Sequence, residues 1–409
     1  MDIVLSNIKN YKDIAEKRSI YYDEVEKALE IVQTFIKDNK FIIYGGLAID
    51  IALKITGHPG IYLDDVIPDF DIYSSDFYND SNKLAVILHQ NNMKNVSAIN
   101  AVHLNSRRVR VNFTPVCDFS YLPKNVLDNI PYIEIKSNQN NIKKYNGMRI
   151  VHPDFQRLDL HRSFTIPYSN PPQEVILHRL EKDSKRFVML NERYKMDTFN
   201  LKLSGKTKNI EILPGDVVYT GLVYYSIILS MVKADALPIK FNDNMSIDIP
   251  VELMDIPLTI IANDPDNFIL QNSLNRKNAV YHNKYLDNIR PKSVVIDNYE
   301  IFYNVEQLPY YNFKNIKIAS GNGLLLFFLQ KYFETNDNRY KLLYNSTINI
   351  IQAAEKLVLT NADMYEKLPC FLPPDFYGEV KHIETPRPPF GFYPAKSLEW
   401  PEFNVNEND

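Results

Sequence analysis

The stretch Phe41-Ile42-Ile43-Tyr44-Gly45-Gly46-Leu47-Ala48-Ile49-Asp50 decides how the rest of the chain is read. Four apolar residues in a row describe a short buried strand, the glycine pair stops it, and Leu47, Ile51 and Ile55 then recur at helical spacing. The expected order is strand, diglycine turn, helix. Upstream, Val25, Leu29, Val32 and Ile36 share one face of a helix between Tyr22 and Lys37. Downstream, past Gly57, Pro59 and Gly60, come Pro68-Asp69-Phe70-Asp71-Ile72-Tyr73, then Arg108-Val109-Arg110-Val111 and Val116-Cys117-Asp118-Phe119. These read as strands of one mixed sheet in an α+β chain.

In an extended strand, residues two apart point to the same side, so Asp69 and Asp71 present two carboxylates together, bracketed by apolar Phe70 and Ile72. Such a pair repels itself unless cations sit on it. Hard oxygen ligands with open positions suit Mg²⁺ or Mn²⁺, which take further ligands from water and phosphate. A third carboxylate from a neighbouring strand, for which Asp118 is the candidate, would allow two ions to clamp a phosphoryl transfer. Gly45-Gly46 at a helix N-terminus offers close backbone approach, free N–H donors and the positive end of the helix dipole to a triphosphate. The chain contains a second such triplet, Asp264-Pro265-Asp266, but its proline argues for a turn and no diglycine stands at a suitable distance before it.

Composition narrows the setting. The 409 residues are 45% hydrophobic and 23% charged, which excludes a disordered chain and predicts two or three domains. Forty-six Lys plus Arg stand against 50 Asp plus Glu, a net charge of -4, so a polyanion would need a local basic patch. Two cysteines, Cys117 and Cys370, form neither a disulfide framework nor a metal-ligand pattern. Neither a signal peptide nor a membrane span is read from the sequence, and the expectation is a soluble intracellular protein.

The basic patch is expected between Asn141 and Lys208, which holds 14 Lys and Arg against 7 Asp and Glu. Within it a helix from Glu174 to Tyr194 sets Ile176, Leu180, Phe187, Leu190 and Tyr194 on one side. Arg179, Lys182, Arg186 and Arg193 fall on another, the first three forming a candidate nucleic-acid stripe. Residues 366–409 hold 8 of the 24 prolines and read as an extended tail.

An internal repeat accounts for the middle of the chain. Val217-Val218-Tyr219-Thr220-Gly221-Leu222-Val223 can be laid on Ile42-Ile43-Tyr44-Gly45-Gly46-Leu47-Ala48, followed by Ile247-Asp248-Ile249 on Phe70-Asp71-Ile72 and Val295-Ile296-Asp297 on Val116-Cys117-Asp118. Order and spacing are kept, while Ser246 stands for Asp69 and Thr220 for one glycine. The expectation is a duplicated fold whose second copy cannot do the chemistry. The expected domains are 1–208, catalytic; 209–365, degenerate; and 366–409, the tail.

Strand, Gly-Gly, helix, Asp-x-Asp and one later Asp resemble the polymerase-β-like nucleotidyltransferases. More narrowly, the Tyr44–Asp50 block, Gly147-Met148-Arg149-Ile150-Val151-His152-Pro153-Asp154-Phe155-Gln156-Arg157, Leu160 to Phe164 and Pro171-Pro172 resemble the catalytic poly(A) polymerases of large DNA viruses, of poxvirus and giant-virus type. The resemblance covers the first half well and the second loosely. It implies ATP as donor, an RNA 3′ end as acceptor, and a degenerate second nucleotidyltransferase domain. It further implies one metal on Asp69, Asp71 and Asp118 acting on the RNA hydroxyl and a second on Asp69 and Asp71 at the triphosphate. A homodimer or a viral processivity partner, and a host-cytoplasmic or virion location, belong to the same implication. Two departures stand out: Leu47 occupies a position where many superfamily members have Ser, and the stretch from Gly46 to Asp69 is long. The other readings are an oligoadenylate-type or small-molecule adenylyltransferase, and a catalytically inactive RNA-binding scaffold.

Overall fold

Helix α1 (Tyr22–Asp38) buries the face that the apolar spacing describes, with Val32 and Ile36 fully covered and Leu29 nearly so. Phe35 of this helix meets Phe41 and Phe119 edge-on or tilted, which anchors α1 to the sheet behind the site. The computed structural model describes residues 22–62, 68–101, 106–122, 124–128, 130–136, 142–165, 173–196, 200–282, 293–303, 311–313, 316–319, 321–360 and 403–404. Two compact units emerge: Met1–Gln156 with Glu192–Tyr194 and Lys396–Asp409, and Arg157–Asn191 with Lys195–Ala395. None of the described helices is long and apolar enough to cross a membrane.

In the first unit the chain runs β1 (Ile42–Tyr44), α2 (Gly45–Ile55), β2 (Phe70–Ser74), α3 (Phe77–Gln90), β3 (Ser97–Asn100), β4 (Ser106–Val111), β5 (Thr114–Tyr121), α4 (Lys124–Leu127), β6 (Tyr132–Glu134) and β7 (Arg149–Val151). The sheet order is β18-β3-β4-β5-β2-β1-β7-β6, where β18 is Phe403–Asn404. β1 pairs antiparallel with β2 and parallel with β7, and β2 pairs parallel with β5. Apart from Phe403–Asn404, the expected tail lies outside the described residues.

Helix α5 (Pro153–Thr165) contains the division between the units, at Gln156, and α6 (Gln173–Arg193) follows. Then come β8 (Thr207–Glu211), β9 (Val217–Tyr219), α7 (Gly221–Met231), β10 (Lys240–Asn242), β11 (Ser246–Pro250), β12 (Leu258–Ala262), α8 (Pro265–Gln271), β13 (Val280–His282), β14 (Ser293–Ile296), β15 (Tyr299–Tyr303), β16 (Tyr311–Phe313), β17 (Ile316–Ile318), α9 (Gly321–Thr335) and α10 (Asn338–Thr360). The larger sheet of the second unit has the order β13-β14-β15-β12-β9-β17-β16. Each neighbour has the same sense as its counterpart in the first: β9 antiparallel to β12 and parallel to β17, β12 parallel to β15.

Val217 to Val223 is thus strand, turn and helix start, as the repeat requires, but its register differs from the sequence alignment. Gly221, at φ +58°, opens α7 as Gly45, at φ +71°, opens α2. Ile42 faces Arg149 and Ile43 faces Ile150, just as Val218 faces Lys317 and Tyr219 faces Ile318. Gly221 therefore corresponds to Gly45, one residue away from the sequence-based placement. The counterpart of β2 is β12, while Ile247-Asp248-Ile249 lies in a separate three-stranded sheet, β10-β11-β8. Asp297 sits in the turn after β14, not on the strand corresponding to β5.

Candidate active site

The turn from β1 into α2 needs the glycine at position 45. Its φ is left-handed, and an added Cβ would stand 2.5 Å from Asp71 Oδ2. The Asp71 carboxylate consequently lies against the backbone at the first turn of α2, where N–H groups are left without intrahelical partners. Gly46 is buried within the same helix.

Register places the other groups. Tyr44 is opposite Asp71, Asp71 is opposite Asp118, and Asp118 is opposite Arg108, so a row of four side chains crosses β1, β2, β5 and β4 on one sheet face. Asp69, two residues before Asp71, is exposed at the head of β2. Asp118 is nearly covered, and the Arg108 guanidinium grips both its oxygens, Nε to Oδ1 at 2.8 Å and Nη2 to Oδ2 at 2.6 Å. That pairing holds Arg108 above its ordinary pKa against partial burial, and the charges of Asp118, Asp69 and Asp71 add to it. On the opposite face, burial pushes the Cys117 thiol well up, and Asp118, Asp71 and Asp69 push it further. Three carboxylates therefore act on one small region of the sheet.

Tyr44 of that row stacks its ring on Tyr73 at 4.1 Å with 9° between planes. Tyr44 OH bonds Ser120 Oγ at 2.6 Å, and Ser120 bonds Ser106 at 2.8 Å. Behind it, buried Asp50 accepts from Tyr62 N at 2.8 Å and from Lys54 Nζ at 3.0 Å, tying the chain after α2 to the helix. In the sequence Asp50 stands within the Tyr44–Asp50 block without a role of its own, and Arg108 reads only as a strand residue. The alternation of Arg108-Val109-Arg110-Val111 marks β4 as a strand with Arg108 on its less covered face, but only the pairing of β4 with β5 sets Arg108 against Asp118.

The donor chemistry of Asp69, Asp71 and Asp118 fits a hard divalent cation. Their side chains are not drawn together as ligands, for no group of three acidic, histidine or cysteine residues is clustered to hold a metal among the described residues. Asp118 is turned to Arg108 instead. The basic stripe falls elsewhere, on α6, almost all of which belongs to the second unit. There Lys182 is exposed, Arg186 is 14% exposed with Nη1 3.4 Å from Asp183 Oδ1, and the Arg179 side chain lies outside the described residues.

In the second unit the corrected register puts Thr259 where Asp71 stands, Pro257 for Asp69, Glu300 for Asp118 and Val295 for Arg108. Thr259 Oγ1 would lie 3.0 Å from a Cβ on Gly221, repeating the contact of Asp71 with Gly45. Glu300 is buried and paired with Lys331 of α9 at 2.8 Å.

The first unit thus sets a glycine-opened helix against an Asp-x-Asp strand, with a third aspartate on the parallel neighbour, the arrangement that the nucleotidyltransferase resemblance leads one to expect. The crystal structure of the Megavirus polyadenylate synthase has the same fold, with a TM-score of 0.63 at 19% identity over 87% of this chain and 74% of that one. The family model for the poly(A) polymerase catalytic subunit matches residues 30–170. A poly(A) polymerase catalytic subunit of African swine fever virus (isolate Tick/Malawi/Lil 20-1/1983) is 30% identical over 372 residues, 86% of this chain and 76% of the relative. One from Acanthamoeba polyphaga mimivirus is 29% identical over 191 residues, 46% of this chain and 29% of its own. The chain belongs to the poly(A) polymerase catalytic subunit family, which bears out the resemblance carried by the Tyr44–Asp50 and Gly147–Arg157 blocks.

Proposed function

We propose that the chain is a template-independent polynucleotide adenylyltransferase, adding AMP from ATP to RNA 3′ ends. The observation that carries this reading is the cross-strand placement of Asp71 beside Asp118, with Asp71 held against the backbone of Gly45. Asp69, Asp71 and Asp118 would hold two Mg²⁺ or Mn²⁺ ions, which when bound neutralise triphosphate charge and acidify the attacking 3′-hydroxyl. The N-terminus of α2, opened by Gly45 and Gly46, would offer its unpaired N–H donors to the triphosphate. Asp71, fixed by its contact with that turn, ties the metal ligands to the nucleotide cradle, so the α-phosphate is presented where the hydroxyl arrives. Positioning and charge neutralisation do most of the work in phosphoryl transfer.

The second unit supports the idea of a duplicated, degenerate copy. Thr259 and Pro257 provide no carboxylate, and Glu300 is already neutralised by Lys331. In this reading residues 1–208 include the catalytic machinery and 209–365 the copy, with a homodimer or a viral processivity partner as its further elements. Incubating the full chain with labelled RNA, Mg²⁺ or Mn²⁺, and each nucleoside triphosphate separately tests the central claim. RNA lengthening with ATP is the expected result. Labelled short oligoadenylates or an adenylylated small molecule, with RNA unextended, would transfer the assignment to another adenylyltransferase. Gel filtration with light scattering reports the oligomer.

A further inference from the structure

Both oxygens of Asp118 are engaged by one guanidinium. The fork of two N–H donors takes an acceptor direction on each oxygen and brings a fixed positive charge against the carboxylate, so Arg108 and a divalent ion compete for Asp118. Arg108 also acts electrostatically on Asp69 and Asp71, so it confronts all three carboxylates of the site. A guanidinium does not shed its proton in a protein, and it can vacate the site only by moving. With 32% of its side chain exposed, Arg108 has solvent to move into.

The second unit supplies the contrast. Glu300 occupies the position of Asp118, Val295 that of Arg108, and the cation comes instead from Lys331 on α9. Those side chains are 2% and 12% exposed, and Lys331 also lies 3.7 Å from Glu334 and 6.0 Å from the centre of the Phe302 ring. The counter-cation there is enclosed on several sides, whereas Arg108 reaches Asp118 across the strand from an open face.

We propose that Arg108 is a displaceable counter-cation for Asp118, a positioning residue that holds the carboxylate until a divalent ion takes it, so that loading the site and releasing the guanidinium are one exchange. The inference rests on Asp118 being a metal ligand, as proposed above.

The test is Mn²⁺ binding to the full chain without nucleotide or RNA, followed by the electron paramagnetic resonance signal of free Mn²⁺. Arg108→Gln is expected to tighten Mn²⁺ binding about fivefold, the scale of a partly exposed ion pair near 1 kcal/mol. Arg108→Lys keeps the charge but loses the fork, and its affinity should fall between the two. In the Asp118→Asn background, Arg108→Gln should bring no comparable gain. Unchanged or weaker Mn²⁺ binding by folded Arg108→Gln would overturn the proposal and leave Arg108 as a brace. If the Gln variant does not fold, a Lys variant with wild-type affinity overturns it equally. Asp118→Asn with wild-type Mn²⁺ affinity would instead sink the ligand assignment itself, a failure distinguishable from that of Arg108.

Discussion

Two sheets in this chain share strand order and strand sense, yet they treat the same register positions in opposite ways. In the first, the residues beside the helix-opening glycine and on the neighbouring strand are Asp71 and Asp118; in the second they are Thr259 and Glu300. The first unit keeps charge near an open sheet face, and the second encloses what remains of it with Lys331. Topology therefore does not carry the chemistry. Side chains at a few register positions do, which is why an intact fold is weak evidence for activity.

The strongest way to break the comparison is to remove the carboxylates from each unit. Asp69→Ala and Asp71→Ala should each lower RNA extension by roughly a thousandfold or more while circular dichroism stays unchanged, because they remove charge stabilisation from the transferring phosphoryl group. Asp248→Ala and Asp297→Ala, in the second unit and away from the register positions of Asp71 and Asp118, should leave turnover within about twofold. Comparable losses from both sets would mean that the units share the chemistry.

Stability should separate them in the other direction. Lys331→Met leaves Glu300 buried with no counter-charge, at a cost of about 3 kcal/mol, and Lys331→Met with Glu300→Gln should restore much of it. Arg108→Met exposes a less enclosed carboxylate and should cost about 1 kcal/mol. Urea unfolding of each variant measures the difference, and equal losses would remove the distinction between an enclosed and a displaceable cation.

Glycine substitutions sharpen the comparison further. Both Gly45→Ala and Gly221→Ala force a Cβ into a left-handed conformation, costing about 1 to 2 kcal/mol of stability. Only at Gly45 does the new methyl press on Asp71, so only there should RNA extension also fall, by about tenfold to a hundredfold. A matching loss of extension at Gly221 would place the second turn in the catalytic cycle.

How much of this was legible beforehand depended on how local the signal was. The Tyr44-Gly45-Gly46 turn, the Asp69-x-Asp71 strand and Asp118 could be read because apolar run, turn residue and alternation sit within a few positions of one another. The repeat was legible as order but not as register. Aligning Tyr219 on Tyr44 rewarded an identity, whereas the backbone aligns the left-handed glycines, and a slip of one residue exchanges sheet faces and assigns every site position to the wrong neighbour. Ser246-Ile247-Asp248-Ile249 misled for a related reason: alternation announces a strand without saying which sheet takes it. The Arg108 grip on Asp118 spans ten residues and depends on the hairpin pairing of β4 with β5, including its bulge at Val109/Arg110, which spacing alone does not specify.

The smallest expected effect concerns the basic stripe of α6. Spacing sets Arg179, Lys182 and Arg186 on one helix face, and three phosphates neutralised on a single strand would lower the log-log salt slope by about 2 in a triple Gln variant. Arg186, however, is mostly covered and lies against Asp183, so its charge is largely engaged within the helix. Lys182 is exposed, and one such side chain is expected to contribute about 0.7 to the slope. The measurement is fluorescence anisotropy of a labelled oligoribonucleotide across a salt series, with Lys182→Gln, Arg186→Gln and the triple variant in parallel. A decrease near 0.7 in both the Lys182 and triple variants would make Lys182 a single contact. A decrease near 2 in the triple variant would restore the whole stripe as a track. No change in either would retire α6 as an RNA surface, and the difference between the two units would then rest on the sheet-face carboxylates and their counter-cations.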